Sequence, residues 1–299
     1  MSASALNNQH TMTAPESANR EAFEFVKTLA AEVSTGKVEL PSFPDIALRV
    51  QRALSDDNIT PELVVRIIGA EPALAARILS MANSAALNPS GKAISKLSAA
   101  VARMGFDMLR SSAIAFAMAQ LRNAETYKSI AIPLNLLWQR SVLVASLSYI
   151  IAKRHTTVSP DAAMLAGLLH GVGRLYILTR MQARPELLAD QAGYNEIVRK
   201  WHASVAKALL ENWDIADEIV EAVHTHEDND RDSRGAVGLS DVLSVSTLFA
   251  SFRDKPDILE IKLAESPASG RMQIDRAAFD AINEGSAAEI AALRSALGA

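Results

Sequence analysis

His170 closes an apolar run, Leu165-Ala166-Gly167-Leu168-Leu169-His170-Gly171-Val172-Gly173-Arg174-Leu175, and is the residue best placed to do chemistry. An imidazole in apolar surroundings can bind a metal, accept a proton, or serve as a core side chain with its hydrogen bonds met. The next residue, Gly171, has no side chain to offer as a partner. His202 falls on an amphipathic stretch, which suits a structural or surface role. His224 and His226 end a helical pattern beside an acidic loop, where a cationic imidazole would favour the negative end of the helix dipole. In that loop, Asp228-Asn229-Asp230-Arg231-Asp232 alternates acids as a calcium loop does. Ser233 stands where such a loop needs Gly, and Leu239 where it needs Glu, so a solvated acidic loop is expected.

The elements that position these residues read as helices. The N-terminal residues 1–18 carry few bulky apolar groups and are expected to be a disordered tail. A helix is expected from about Arg20, with Phe23, Val26 and Leu29 on one face. Pro41 and Pro44 then force an extended segment. Asp45–Leu54 reads as a helix. Thr60-Pro61-Glu62 is a start signal combining a hydroxyl cap, proline at the first position and an acid at the positive dipole end. Leu63, Ile67 and Ile68 are expected to face inward, as are Leu74, Ile78 and Leu79 in the following helix. Asn83 and Ser84 are expected to brace the loop after it. Residues 94–104 and 106–121 read as two helices joined at Gly105. Pro133 opens a longer helix to about Arg154, and Ser159-Pro160-Asp161 opens the one that carries His170. Tyr194–Asn212, Ile215–His226 and Leu239–Phe252 are further helices. A C-terminal helix starts at the cap Asp275 and has Phe279, Ile282 and Ile290 on its apolar face. The expected fold is all-α, a multi-helical bundle with no strand.

Composition narrows the function. The chain has 299 residues, 49% hydrophobic and only 5% aromatic, which suits close-packed helices. It contains no cysteine, so thiolate catalysis, disulfides and Cys-based metal sites are excluded. A net charge of −4 gives no electrostatic reason to expect nucleic acid as a partner. The helix pair around Thr60–Ser84 resembles a helix-turn-helix in outline, but Arg66 and Arg77 are isolated among apolar neighbours. Neither a signal peptide nor an apolar run long enough for a membrane span is expected, and the expected location is the cytoplasm.

Several ordered segments resemble the HDOD family, the HD-related output domains of bacterial signalling. They are Leu40-Pro41-Ser42-Phe43-Pro44, Ile68-Gly69-Ala70-Glu71-Pro72-Ala73-Leu74 with the following Ala82-Asn83-Ser84-Ala85, and Ala99-Ala100-Val101-Ala102-Arg103-Met104-Gly105. Leu168-Leu169-His170-Gly171-Val172-Gly173 follows, and then His202, Leu209-Leu210 and Trp213. Glu71 stands where the family more often has Asp, and Met104 where Leu is usual. The resemblance implies an HD-like helical bundle at 129–255, preceded by an N-terminal helical subdomain at 19–128 and followed by an extension at 256–299.

It also implies where a metal-dependent phosphohydrolase of the wider superfamily would hold its ion: an early His, a His-Asp pair and a late Asp, with accessory histidines. In this chain those positions hold Arg140, His170-Gly171 and Asp241, with His202 and His226 as accessories. Two of the four core ligands are therefore missing. A guanidinium cannot coordinate a cation and repels one. Arg140, His170, Gly171, His202, His226 and Asp241 are thus expected to line a degenerate cavity with no metal, no cofactor and no catalytic residue. Arg140 is expected to pair with Asp241 in the metal's place. The implied role is a non-catalytic signalling module that contacts other signalling proteins, with a small ligand as a further option. The competing readings are a phosphohydrolase with a variant site built from His170, His202, His226 and Asp241, and a nucleic-acid-binding regulator.

Overall fold

A computed structural model describes residues 14–40, 44–56, 58–231 and 235–298. Among these residues every regular element is a helix. The N-terminal part comprises α1 (Ala14–Ser34), α2 (Asp45–Leu54), α3 (Pro61–Gly69), α4 (Pro72–Ala82) and α5 (Leu97–Asn123). A 3-10 turn at Glu125–Ile130 leads into α6 (Ala131–His155), α7 (Pro160–Leu169), α8 (Val172–Met181), α9 (Pro185–Ala189), α10 (Gln191–Asn212), α11 (Asp217–Thr225) and α12 (Leu239–Phe252). The chain ends with α13 (Pro256–Glu265), α14 (Pro267–Met272) and α15 (Arg276–Ala296).

The helix starts follow local chemistry. The Thr60 hydroxyl accepts from the Leu63 N–H, Ser159 accepts from Ala162, and Asp275 accepts from Ala278. Pro61, Pro160 and Pro256 stand in first turns, where the missing N–H costs no intrahelical bond. Gly105 breaks α5 with φ 71° and ψ 170°, a conformation open to glycine and strained for a side chain. Asn83 braces the loop beyond α4 by bonding the Ile94 N–H and carbonyl through its side-chain amide.

Four expectations need correction. Of the tail expected over 1–18, residues 1–13 lie outside the described residues, and α1 already runs from Ala14. The run from Ala14 holds no glycine, and its one proline stands in the first turn. Within α1, Phe23 is exposed while Phe25 and Leu29 are buried. In α3, Leu63 is exposed and Val64 takes the inward position beside Ile68. The step of one residue from Leu63 to Val64 is a turn of about 100° around the helix axis. The fourth concerns membrane spans. Glu125–His155 and Pro160–Met181 are long and apolar enough by composition to cross a bilayer, but 89% of the second window and half of the first are buried inside the fold.

The centre of the bundle is α6, packed on α7 and α12, with α8, α10 and α11 closing around them. Two glycines beside His170 set this packing. A Cβ on Gly167 would lie 2.5 Å from the Ala145 Cα in α6, and a Cβ on Gly173 would lie 1.9 Å from the His202 carbonyl oxygen in α10. Helix backbones therefore touch on both sides of His170. The C-terminal helix spans both halves of the molecule. Arg77 of α4 bonds the Leu297 carbonyl, and the Trp138 indole of α6 donates to the Gly298 carbonyl at 3.1 Å.

Candidate functional site

His170 and His226 are built alike. Each follows the last residue of a short helix, α7 or α11, and caps it with a backbone N–H bond to the fourth residue back. Each imidazole Nδ1 also meets the carbonyl three residues back, Gly167 at 2.7 Å and Val223 at 2.8 Å. A carbonyl can only accept, so Nδ1 carries the proton and Nε2 presents a bare lone pair. Both rings are buried, and they meet edge to face with centroids 5.9 Å apart. Neither Nε2 has a hydrogen-bond partner among the described residues.

Burial dominates their protonation. It holds His170 well below the ordinary histidine range, helped by the neighbouring His226. It brings His226 down to about 4, although Glu227 Oε1 stands 3.6 Å from its Nε2. His226 therefore ends its helix as expected, but as a neutral donor rather than a cation.

Glu227 organises the outer half of the cluster. Its carboxylate receives Arg174 at 2.7 Å and contacts His202 Nε2 at 3.1 Å. Arg174 also lies 3.3 Å from His202 Nε2. Burial alone would raise the Glu227 carboxyl, but the His202 hydrogen bond and the Arg174 charge hold it well below the usual carboxylate range. Sequence reasoning missed both Glu227 and Arg174. The available signals were an acid directly following His226 and an arginine one helical turn beyond His170.

Arg140 is half-buried and donates to Ser251 Oγ at 2.8 Å. Its charge is felt at His170, and it is itself influenced by Arg174 and Glu227. The expected Arg140–Asp241 pair does not form. Asp241 sits in the first turn of α12, where one carboxylate oxygen accepts from the Gly238 N–H at 3.0 Å. The other oxygen is held by Arg231, at 2.7 Å, and by Arg271. Burial makes Asp241 need a cation, and these arginines from the acidic loop and from α14 reach it instead of Arg140. The loop from Asp228 is no calcium cradle: Arg231 folds inward onto the Thr225 and Asp228 carbonyls, while Asp232 lies outside the described residues.

The remaining position, Gly171, faces α6. A Cβ there would come within 2.9 Å of Ser141 Oγ, so a side chain fits only if that hydroxyl rotates away. The structure thus brings His170, His202 and His226 together with Glu227, Arg174 and Arg140. Asp241 is bonded elsewhere, and Gly171 contributes no ligand. The residues present do not fit a catalytic divalent ion. Among the described residues no group of three or more His, Asp or Glu side chains is arranged to hold one, and Glu227 and Asp241 are each bonded to arginine.

Known proteins share this architecture. A Shewanella amazonensis protein bearing the name "Putative metal-dependent phosphohydrolase" is 25% identical, with a TM-score of 0.71 over 93% of this chain and 99% of its own. An HDOD domain protein with unknown function from Geobacter sulfurreducens is 24% identical, with a TM-score of 0.64 over 90% of this chain and 96% of its own. No curated protein matches the chain. The HDOD domain model matches residues 40–229, which spans His170, His202, His226 and Glu227 and ends before Asp241. With more than half of its length matched, the chain belongs to the HDOD domain family.

Proposed function

We propose that this chain is a non-catalytic HDOD module that works in the cytoplasm and relays a signal by contact with other signalling proteins. The observation that carries this reading is the internal bonding of the acids nearest the old metal positions. Glu227 is bonded to Arg174 and His202, and Asp241 to Arg231 and Arg271. A divalent ion would have to break these pairs and enter the field of Arg140 and Arg174. Removing one partner of a buried ion pair such as Arg231–Asp241 costs about 3–5 kcal/mol, while the partly exposed Arg174–Glu227 pair contributes about 1 kcal/mol or less, so Arg231 and Arg271 are the stronger competitor to a metal. What remains is a packed helical body whose activity lies in binding.

Titration of the purified protein with manganese or nickel, beside a phosphodiesterase assay on bis-p-nitrophenyl phosphate, tests the catalytic half of this reading. No stoichiometric metal and no turnover are expected. Turnover that His170→Ala abolishes would overturn it. Affinity capture from the native cell, repeated with surface variants, tests the relay half. A signalling protein retained at stoichiometric level is expected, and its consistent absence counts against a contact-based role.

A further inference from the structure

Seven large apolar side chains are exposed among the described residues. Phe23, Leu63 and Phe106 stand singly along the chain, which is ordinary for a folded surface. The other four form two pairs. Ile132 and Leu136, 78% and 61% exposed, lie one turn apart on α6. Ile258 and Ile261, 42% and 57% exposed, lie one turn apart on α13. Each pair makes a short apolar stripe along its helix.

The charges around the two stripes have opposite sign. α6 contains no acid. Lys128 stands one turn before Ile132, and Arg122 borders the stripe at Asn135, whose Oδ1 it reaches at 3.3 Å. Arg122 makes no ion pair among the described residues. Glu125 is the one acid between Asp107 and Asp161, and it is held by Lys128 in an exposed pair of small worth. α13 holds Asp257, Glu260 and Glu265 against a single lysine, Lys262. Docking α6 on α6 of another copy would set cation against cation, and α13 on α13 would set acid against acid. α6 on α13 brings opposite charges together and buries both stripes at once.

We infer that α6 of one copy docks on α13 of a second copy, with Ile132 and Leu136 against Ile258 and Ile261. The two stripes are neighbours in the fold. Arg140, one turn after Leu136, bonds Ser251 in the last turn of α12, and α13 begins soon after at Pro256. A two-fold axis beside them makes the contact twice per dimer, each copy giving its α6 to the partner's α13. Two short stripes are a small interface, so the dimer is weak, with a Kd on the order of tens of micromolar. The contact is between copies and holds whether or not the module relays a signal to other proteins.

Sedimentation equilibrium of the full chain from about 1 to 300 µM tests the assignment. A reversible monomer–dimer equilibrium is expected, weakened by salt. Leu136→Asp and Ile261→Asp should each raise Kd by about tenfold or more. An equimolar mixture of the two variants should associate more tightly than either alone, because only the mixed dimer keeps one intact α6–α13 contact. If Leu136→Asp does not fold, Ile132→Asp takes its place. A monomer throughout the range overturns the assignment, as does a dimer that either folded variant leaves unchanged. Binding to phosphatidylglycerol vesicles that Leu136→Asp removes, with no dimer formed, would also overturn it and make a membrane the occupant of α6.

Discussion

Neutral, buried His226 makes stability fall in mild acid. Its folded-state pKa is about 4, against 6.5 for an exposed imidazole. The unfolded chain therefore binds the proton more readily, and stability is complete above about pH 6.5 and is lost as the pH falls toward 4. The difference of about 2.5 pH units corresponds to about 3 kcal/mol, of which about 2 kcal/mol is gone by about pH 5. His170 is shifted in the same direction for the same reason and adds to the loss. Glu227 also contributes stability that acid removes, but its carboxyl is held below the ordinary value of 4.5, so its loss begins lower on the pH scale. Equilibrium unfolding in urea, repeated in steps from about pH 7.5 to pH 4.5, reads the wild-type slope. His226→Asn keeps a donor for the Val223 carbonyl and cannot titrate. Its stability should decline less than the wild type's over the same range, by about 2 kcal/mol at about pH 5. Parallel curves for the two proteins would refute the buried neutral imidazole.

Three further outcomes follow from the geometry. Gly173→Ala places a Cβ against the His202 carbonyl, where neither backbone can yield, and should lower the unfolding free energy by about 3 kcal/mol or more, read as a drop in Tm. Asp241→Asn leaves Arg231 and Arg271 without their anion and weakens the first turn of α12, at an expected cost of about 2–4 kcal/mol in urea unfolding. The double variant Arg140→His with Gly171→Asp replaces both missing ligand types, yet calorimetry should detect no tight manganese binding, because Asp241 stays bonded to its two arginines. Tight binding by that variant would show that those arginines are not the obstacle.

Local signals made most helices legible. Thr60-Pro61, Ser159-Pro160 and Asp275 each announce a start that the structure uses, and Asp45–Leu54 and Leu239–Phe252 have the expected bounds. Inward faces were less secure, since Phe23 and Phe25, or Leu63 and Val64, are equally apolar and only packing chooses between them. Residues 256–272 hold two short helices that periodicity did not reveal, because α13 is apolar on more than one side, with Ile258 and Ile261 exposed.

The candidate site divides in the same way. The sequence by itself determined the all-α class, the family segments, the glycines beside His170 and the absence of an acid at Gly171, because each is a property of residue type or of short spacing. Which charges meet was decided by tertiary structure alone. Arg140 and Asp241 looked complementary along the chain, yet Asp241 is bonded to Arg231 and Arg271, and Arg140 turns to Ser251. Glu227 gained its importance only when α8, α10 and α11 brought Arg174, His202 and His226 around one carboxylate. Ion pairing depends on distance in space and on burial, and neither is encoded in the spacing of residues far apart in the chain.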